Sequence, residues 1–367
     1  MEVLFHTKQL AVGYGDAPLI KDIEIHLKRG HILTLIGPNG AGKTTILKSI
    51  AKYLTPMYGT CFIDSKDIQA MPNRELAKRM SVVLTHKMNT ELMSCEEIVE
   101  TGRYPYTGRL GILSDEDHKQ VQLAMEQVHV WDLRHRDFMR ISDGQRQRIM
   151  LARAICQNPQ IIVLDEPSSF LDIRYKLELL DTLRDMARTR GISVIMSLHE
   201  LDLAQRVSDE VMCVSGEYIS YYGKPQEIFQ KELIHSLYCL EEGGYNPLFG
   251  SLEMRKPSGE PKVFVIAGGG SGIETYRSLQ RRQIPFLTGV LHENDVDFQV
   301  AKDLASRMIS ERSFCTISET TYREALQALH GCTTVINCLQ EYGEINRRNR
   351  ALLEDAKAMG FSIENRT

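Results

Sequence analysis

Lys43 and Thr44 close a glycine-rich stretch, Gly37, Pro38, Asn39, Gly40, Ala41 and Gly42, that follows the apolar run Ile32 to Ile36. A helical pattern follows. A loop of this composition between a strand and a helix is built to hold phosphates. Its glycines let the backbone curl until successive N–H groups point inward, and the new helix turns its positive end toward an anion. In that geometry the Lys43 amine reaches the β- and γ-phosphates, and the Thr44 hydroxyl ligates Mg²⁺. Thr45 adds a hydroxyl at the α-phosphate. A second constellation lies downstream. Asp165 and Glu166 follow the fully apolar Ile161 to Leu164, and His199 follows the run Ser193 to Ser197. Asp165 is expected in the Mg²⁺ sphere. Glu166 is expected to polarise an attacking water, with His199 hydrogen-bonding the γ-phosphate or that water.

These groups need a common platform. Apolar runs alternating with helical patterns predict a parallel sheet covered by helices, and ligands of such sheets sit at the carboxyl ends of the strands. Gly37, His86, Asp165 and His199 all fall at expected strand ends. Short alternating strands are expected over residues 2–30. Tyr14, between Gly13 and Gly15, either stacks on a base or covers the sheet edge. From about 87 to 150 the pattern turns helical, an inserted subdomain. Within it Ser142 is a natural N-cap for the helix that carries Gly144 and Gln145.

Composition narrows the class. The net charge of −4 over 367 residues gives no general pull toward nucleic acid. No run of about 18 apolar residues suggests a membrane span. The N-terminus lacks the basic-then-apolar order of a secretory signal. The eight cysteines are scattered without a C-x-x-C pair, which speaks for reduced thiols rather than disulfides or zinc.

Taken together, the phosphate loop, the Ser142-x-Gly144-Gln145 element, the apolar strand ending in Asp165-Glu166, the Ser169-x-Leu171-Asp172 stretch and His199 occur in one order. Up to about residue 245 the chain resembles the nucleotide-binding subunit of an ATP-binding cassette (ABC) transporter. The resemblance implies a P-loop NTPase core, ATP hydrolysis with Mg²⁺, and a head-to-tail homodimer with two ATP molecules between the copies. In that dimer Ser142, Gly144 and Gln145 complete the partner's site, Asp172 lies across the interface, and Tyr14 stacks on adenine. Thr101-Gly-Arg-Tyr-Pro105 and Glu166-Pro-Ser-Ser-Phe-Leu-Asp172-Ile are similar to importers of iron-siderophores, haem and cobalamin. That subgroup implies a peripheral position on the cytoplasmic face of the membrane. It also implies permease subunits docking near Arg103–Tyr106, an extracytoplasmic substrate-binding protein as indirect partner, and no nucleic acid. The competing reading is a soluble ABC-type ATPase or a ligand-sensing regulatory ATPase.

Two positions depart from the family pattern. His86 stands where a glutamine senses Mg²⁺ and water; a neutral imidazole there can ligate the metal. Asp143 stands where glycine is commonest. A carboxylate about 6 Å from a phosphate charge costs roughly 2–3 kcal/mol at an effective dielectric near 20. Asp143 is therefore expected to turn away, neutralised by Arg146 or Arg148. Beyond a linker over 246–260, a second α/β pattern fills 261–367. Its strand Lys262 to Ala267, the loop Gly268 to Gly272 and Glu293 resemble a small Rossmann-like unit. The third fingerprint glycine is replaced by Ile273. Small-ligand binding, dimerisation or scaffolding, and catalysis all remain open for it.

Overall fold

Three strands carry almost nothing but buried side chains: Ile32–Ile36, Ile161–Leu164 and Ser193–Ser197. Strands buried on both faces belong in the middle of a parallel sheet. In the computed structural model, which describes residues 2–84, 92–108, 110–240 and 243–366, they do. The six-stranded sheet runs Tyr218–Gly223, Glu210–Ser215, Ile32–Ile36, Ser193–Ser197, Ile161–Leu164, Met80–Val83. All pairs are parallel except the outermost hairpin, 210–215 with 218–223. A second sheet is built around the long strand Val3–Val12, antiparallel to Ile20–Ile23, His26–Lys28 and Tyr58–Ile63. The helix Lys43–Ile50 presents Ile46, Leu47 and Ile50 to a fully buried cluster that also holds Phe5, Leu10 and Ile20.

The inserted region contains the helices Cys95–Glu100 and Asp115–Gln127 and leads into Asp143–Cys156. Each starts with a reciprocal capping box: Ser94 with Glu97, Ser114 with Asp117, Ser142 with Gln145. Arg103 and Asp117, both almost fully buried, pair at 2.8 Å, and Arg103 also donates to the Cys156 carbonyl. Cys61, Cys156 and Cys213 are buried thiols whose ionisation burial pushes up to about 12.

The chain divides into compact units at Tyr238 and Cys239. The expected linker over 246–260 is thereby corrected. Gly244–Asn246 and Ser251–Glu253 form a hairpin inside the second unit, held by Arg277 on Glu253 at 2.6 Å and by Gln280 on the Met254 carbonyl at 2.7 Å. The sheet of this unit is wholly parallel, in the order Arg307–Glu311, Phe286–His292, Val263–Ile266, Thr334–Asn337, Ser362–Asn365. The pairing of Phe286–His292 with its outer neighbour shifts between Thr288 and Leu291. There Asn349 serves the displaced backbone, accepting from Val290 N and donating to Val290 O, both at 3.0 Å.

The glycine loop of this unit is filled from within. Asp295 accepts from Gly269 N at 2.8 Å, and Asp297 accepts from Gly270 N at 3.1 Å and Gly272 N at 3.0 Å. Asp297 is fully buried. Burial raises its ionisation from 3.8 to about 6, against the pull of the Gly272 and Gly270 amides. A carboxyl with a folded value above its unfolded one favours the folded state at low pH and loses that contribution as pH rises through the folded value. Hydrogen-exchange protection of the Val263–Ile266 amides, corrected for intrinsic rates, is therefore expected to be higher at pH 5 than at pH 7. In Asp297→Asn that difference is expected to disappear.

Candidate functional site

Register brings the site together. Leu35 pairs with Ser197, Met196 with Leu164, and Leu164 with Val83, so these strands end at one level. The phosphate loop, the Asp165-Glu166 tip and His199 leave the sheet there. Gly37 has φ 147° and its hypothetical Cβ would lie 2.2 Å from the Val214 carbonyl, so only glycine fits. Gly40 and Gly42 are also left-handed, at 79° and 95°. Asn39 and Gly40 form the exposed tip, Pro38 and Ala41 are half-buried, and no side chain caps the start of the Lys43–Ile50 helix. The buried Lys43 amine donates to the carbonyls of Gly37 at 2.7 Å and Pro38 at 2.9 Å. Burial lowers its ionisation, opposed by the nearby carboxylates of Glu166 and Asp165. Thr44 Oγ1 donates to Asp165 Oδ1 at 3.1 Å, while Thr45 is buried one residue on.

Glu166 adopts φ 49°. A left-handed non-glycine residue costs on the order of 1–3 kcal/mol and is kept only where its surroundings hold it. Its Oε1 meets His199 Nε2 at 2.6 Å, its Oε2 accepts from Ser169 Oγ at 3.3 Å, and its N–H donates to Ser197 Oγ at 2.9 Å. Ser197 in turn donates to Asp165 Oδ1 at 2.8 Å. Sequence reasoning does not single out Ser197; its only signal is a polar residue closing a fully buried strand. Glu200, next to His199, is also missed. It accepts from Ser168 Oγ at 2.9 Å and pairs with Lys176 at 2.5 Å. Burial opposes its ionisation, but Lys176 and Ser168 hold its carboxyl below the usual range.

At the start of Asp143–Cys156, Ser142 Oγ accepts from Gln145 N at 3.2 Å and Gln145 Oε1 accepts from Ser142 N at 3.0 Å. Among the described residues, no acceptor is recorded for the Ser142 hydroxyl proton or the Gly144 amide. Gly144 packs closely, its hypothetical Cβ 3.3 Å from Leu171 and from the Phe170 carbonyl. Asp143 pairs with Arg146 at 2.9 Å, while Arg148 stacks on Tyr175 at 4.0 Å. Asp172 caps the helix Ile173–Arg190 through Tyr175 N. Tyr14 is 61% exposed on its turn. His86 lies outside the described residues. Among the described residues, no three His, Cys, Asp or Glu side chains converge on a metal position. The hard oxygens of Thr44 and Asp165 suit Mg²⁺ when phosphate oxygens complete the set.

Arg103, expected in a docking surface at Arg103–Tyr106, is corrected by the structure: its guanidinium is spent inside on Asp117. Tyr104 and Pro105 instead line a groove of ≈ 340 Å³ with Tyr53, Asn73, Arg153 and Gln157. In the second unit Glu293 is exposed just past the strand Phe286–His292, where a ribose-binding acid belongs. The amides that would meet a pyrophosphate are already taken by Asp295 and Asp297.

Residues 20–169 match the ABC transporter family, and residues 286–366 match the MJ0874 family. An uncharacterized ABC transporter ATP-binding protein of Methanocaldococcus jannaschii is 37% identical over 78% of this chain and 100% of its own length. The chain belongs to the ABC transporter ATP-binding proteins. The petrobactin import ATP-binding protein of Bacillus anthracis is 33% identical over 68% of this chain and 92% of its own. The cobalamin import ATP-binding protein of Halobacterium salinarum is 28% identical over 87% of this chain and 81% of its own. Over 60% of its length the chain shares the fold of a dimeric bacterial ABC transporter cassette, at TM-score 0.55 and 23% identity, covering 99% of that chain. As an ABC ATP-binding protein, the chain is an ATPase.

Glu200 ties His199 to the segment after Glu166 and to the Ile173–Arg190 helix. Glu200→Ala is expected to lower kcat for ATP about tenfold, about 1.4 kcal/mol, while equilibrium ATP affinity stays within about twofold.

Proposed function

We propose that this ABC ATPase powers an importer of metal chelates of the siderophore or cobalamin type, bound at the cytoplasmic face of the membrane through permease subunits. One observation carries the mechanism: Lys43, Thr44, Asp165, Glu166 and His199 converge beyond the carboxyl ends of the central strands, with Thr44 on Asp165 and His199 on Glu166. The cargo class rests on relatives that serve petrobactin and cobalamin import. No helix among the described residues is long and apolar enough to cross a membrane, so a permease must supply the path.

ATP enters with its phosphates on the amides of Gly37 to Thr45. Lys43 exchanges the Gly37 and Pro38 carbonyls for β- and γ-oxygens, Thr45 meets the α-phosphate, and Tyr14 stacks on adenine. Thr44 and Asp165, joined by His86, would hold Mg²⁺, which would neutralise phosphate charge. Glu166 takes the proton of the attacking water, and His199 holds Glu166 and the γ-phosphate in line. A second copy presents the Ser142 hydroxyl, the Gly144 amide and the Gln145 turn to the same γ-phosphate, so ATP draws the homodimer together. The Tyr104–Pro105 groove receives a permease segment, and an extracytoplasmic binding protein delivers cargo to that permease. The second unit serves as a scaffold, because its glycine loop is closed by its own carboxylates.

The test is a tagged Glu166→Gln variant, which should bind ATP without turning it over, purified from membranes in mild detergent. A polytopic permease in equal amount is the expected companion; a soluble dimer alone would move the protein out of transport. The Asp143–Arg146 pair gives a separate check. In the Glu166→Gln background, Arg146→Ala is expected to raise the ATP concentration for dimerisation about three- to tenfold, by sedimentation, since Asp143 then faces phosphate uncompensated. Adding Asp143→Gly is expected to restore it.

A further inference from the structure

The hydroxyl of Ser197 touches both acidic residues of the ATP site. It is fully buried at the end of the Ser193–Ser197 strand. Its proton goes to Asp165 Oδ1 at 2.8 Å, and its lone pair receives the Glu166 N–H at 2.9 Å. The same carboxylate oxygen takes the Thr44 hydroxyl at 3.1 Å. Thr44, Asp165, Ser197 and the Glu166 amide thus form one chain of hydrogen bonds from phosphate loop to strand tip.

We propose that Ser197 is a positioning residue for ATP hydrolysis, fixing the metal-side carboxylate of Asp165 and the water-side carboxylate of Glu166 in one mutual geometry. The inference rests on the roles assigned above to Asp165 and Glu166.

The physical reason lies in the backbone of Glu166. Its φ of 49° is a conformation that a β-carbon disfavours. Side chains hold it at three points, His199 on Oε1, Ser169 on Oε2 and Ser197 on the amide, and Ser169 N–H adds a backbone bond to its carbonyl. The first two bind a carboxylate that swings with the backbone. Ser197 holds the peptide plane on the N–H side of Glu166, the side that sets φ, while Ser169 N–H holds its carbonyl at 3.1 Å. Without that acceptor the Glu166 N–H loses the Ser197 hydroxyl, and rotation of the peptide toward the extended region is opposed by fewer contacts. The carboxylate then leaves the line between His199 and the γ-phosphate. Asp165 loses one of two hydroxyl donors on Oδ1 at the same time, and its tilt toward Thr44 loosens. A serine is the smallest residue able to donate to one acid and accept from the next amide at once.

Three variants in the full chain test this, with melting temperature measured for each. Ser197→Ala is expected to lower kcat about 10- to 100-fold while KM for ATP changes less than about threefold. Its magnesium concentration for half-maximal rate is expected to rise several-fold. Ser197→Thr keeps the hydroxyl and is expected to return kcat to within about threefold of wild type. Ser197→Cys keeps the volume with a poor hydrogen-bonding group and is expected to behave like alanine. A kcat within about twofold of wild type in either folded Ala or Cys variant overturns the proposal. So does equal loss in the Ala and Thr variants at unchanged melting temperature. Glu166→Gln serves as reference. If it keeps full hydrolysis, the underlying roles fall; if it abolishes hydrolysis while Ser197→Ala does not, only the role of Ser197 falls.

Discussion

The ladder register between Ile32–Ile36, Ser193–Ser197 and Ile161–Leu164 is the constraint on which the site depends. Backbone hydrogen bonds place the first residues after each strand at one height, and that height is where loops carrying Lys43, Glu166 and His199 begin. A slip of one residue would reverse every side chain on a strand and pull the buried hydroxyls of Thr34, Ser193 and Ser197 away from their hydrogen-bond partners. The core that fixes the fold is thereby also the ruler that spaces the chemistry. Local devices then refine it: glycine where Val214 leaves no room at Gly37, and a left-handed Glu166 held by neighbours.

The two units use the same motif differently. In the first, a glycine loop leaves its helix start uncapped by any side chain and lets a lysine rest on its carbonyls. In the second, the glycine loop receives Asp295 and Asp297. In the first loop Lys43 covers two carbonyls, and in the second the carboxylates cover three amides. The partner in the first is one that a nucleotide can displace; the carboxylates of the second are part of its own core. A Rossmann-like strand order therefore does not make the second unit a dinucleotide site.

The ATP site is largely legible in the sequence because its parts are local motifs at the ends of strongly apolar strands. Lys43, Thr44, Asp165, Glu166 and His199 can be placed from spacing alone. Ser197 and Glu200 cannot, since their meaning comes from partners about thirty residues away. Arg103 misleads for the reverse reason: an arginine in a polar helical stretch reads as surface until Asp117 is brought beside it. In the second unit the central strands are readable and the outer ones are not. Arg307–Glu311, mostly half-buried, and Ser362–Asn365, mostly exposed, are edge strands rich in polar residues and without the clear alternation that marks a strand in sequence. The Gly244–Glu253 hairpin hides in a stretch whose glycine and proline resemble a linker.

Each of the helices at Ser94, Ser114 and Ser142 closes its own capping box in the single chain. In the proposed homodimer, the turn at Ser142 that would meet the partner's nucleotide is thus already shaped before any encounter. Two such surfaces lose mainly overall translation and rotation on meeting, with little added entropy loss from ordering loops. In that proposal the incoming phosphate would supply what two preformed faces lack, and its removal would leave them no reason to stay together.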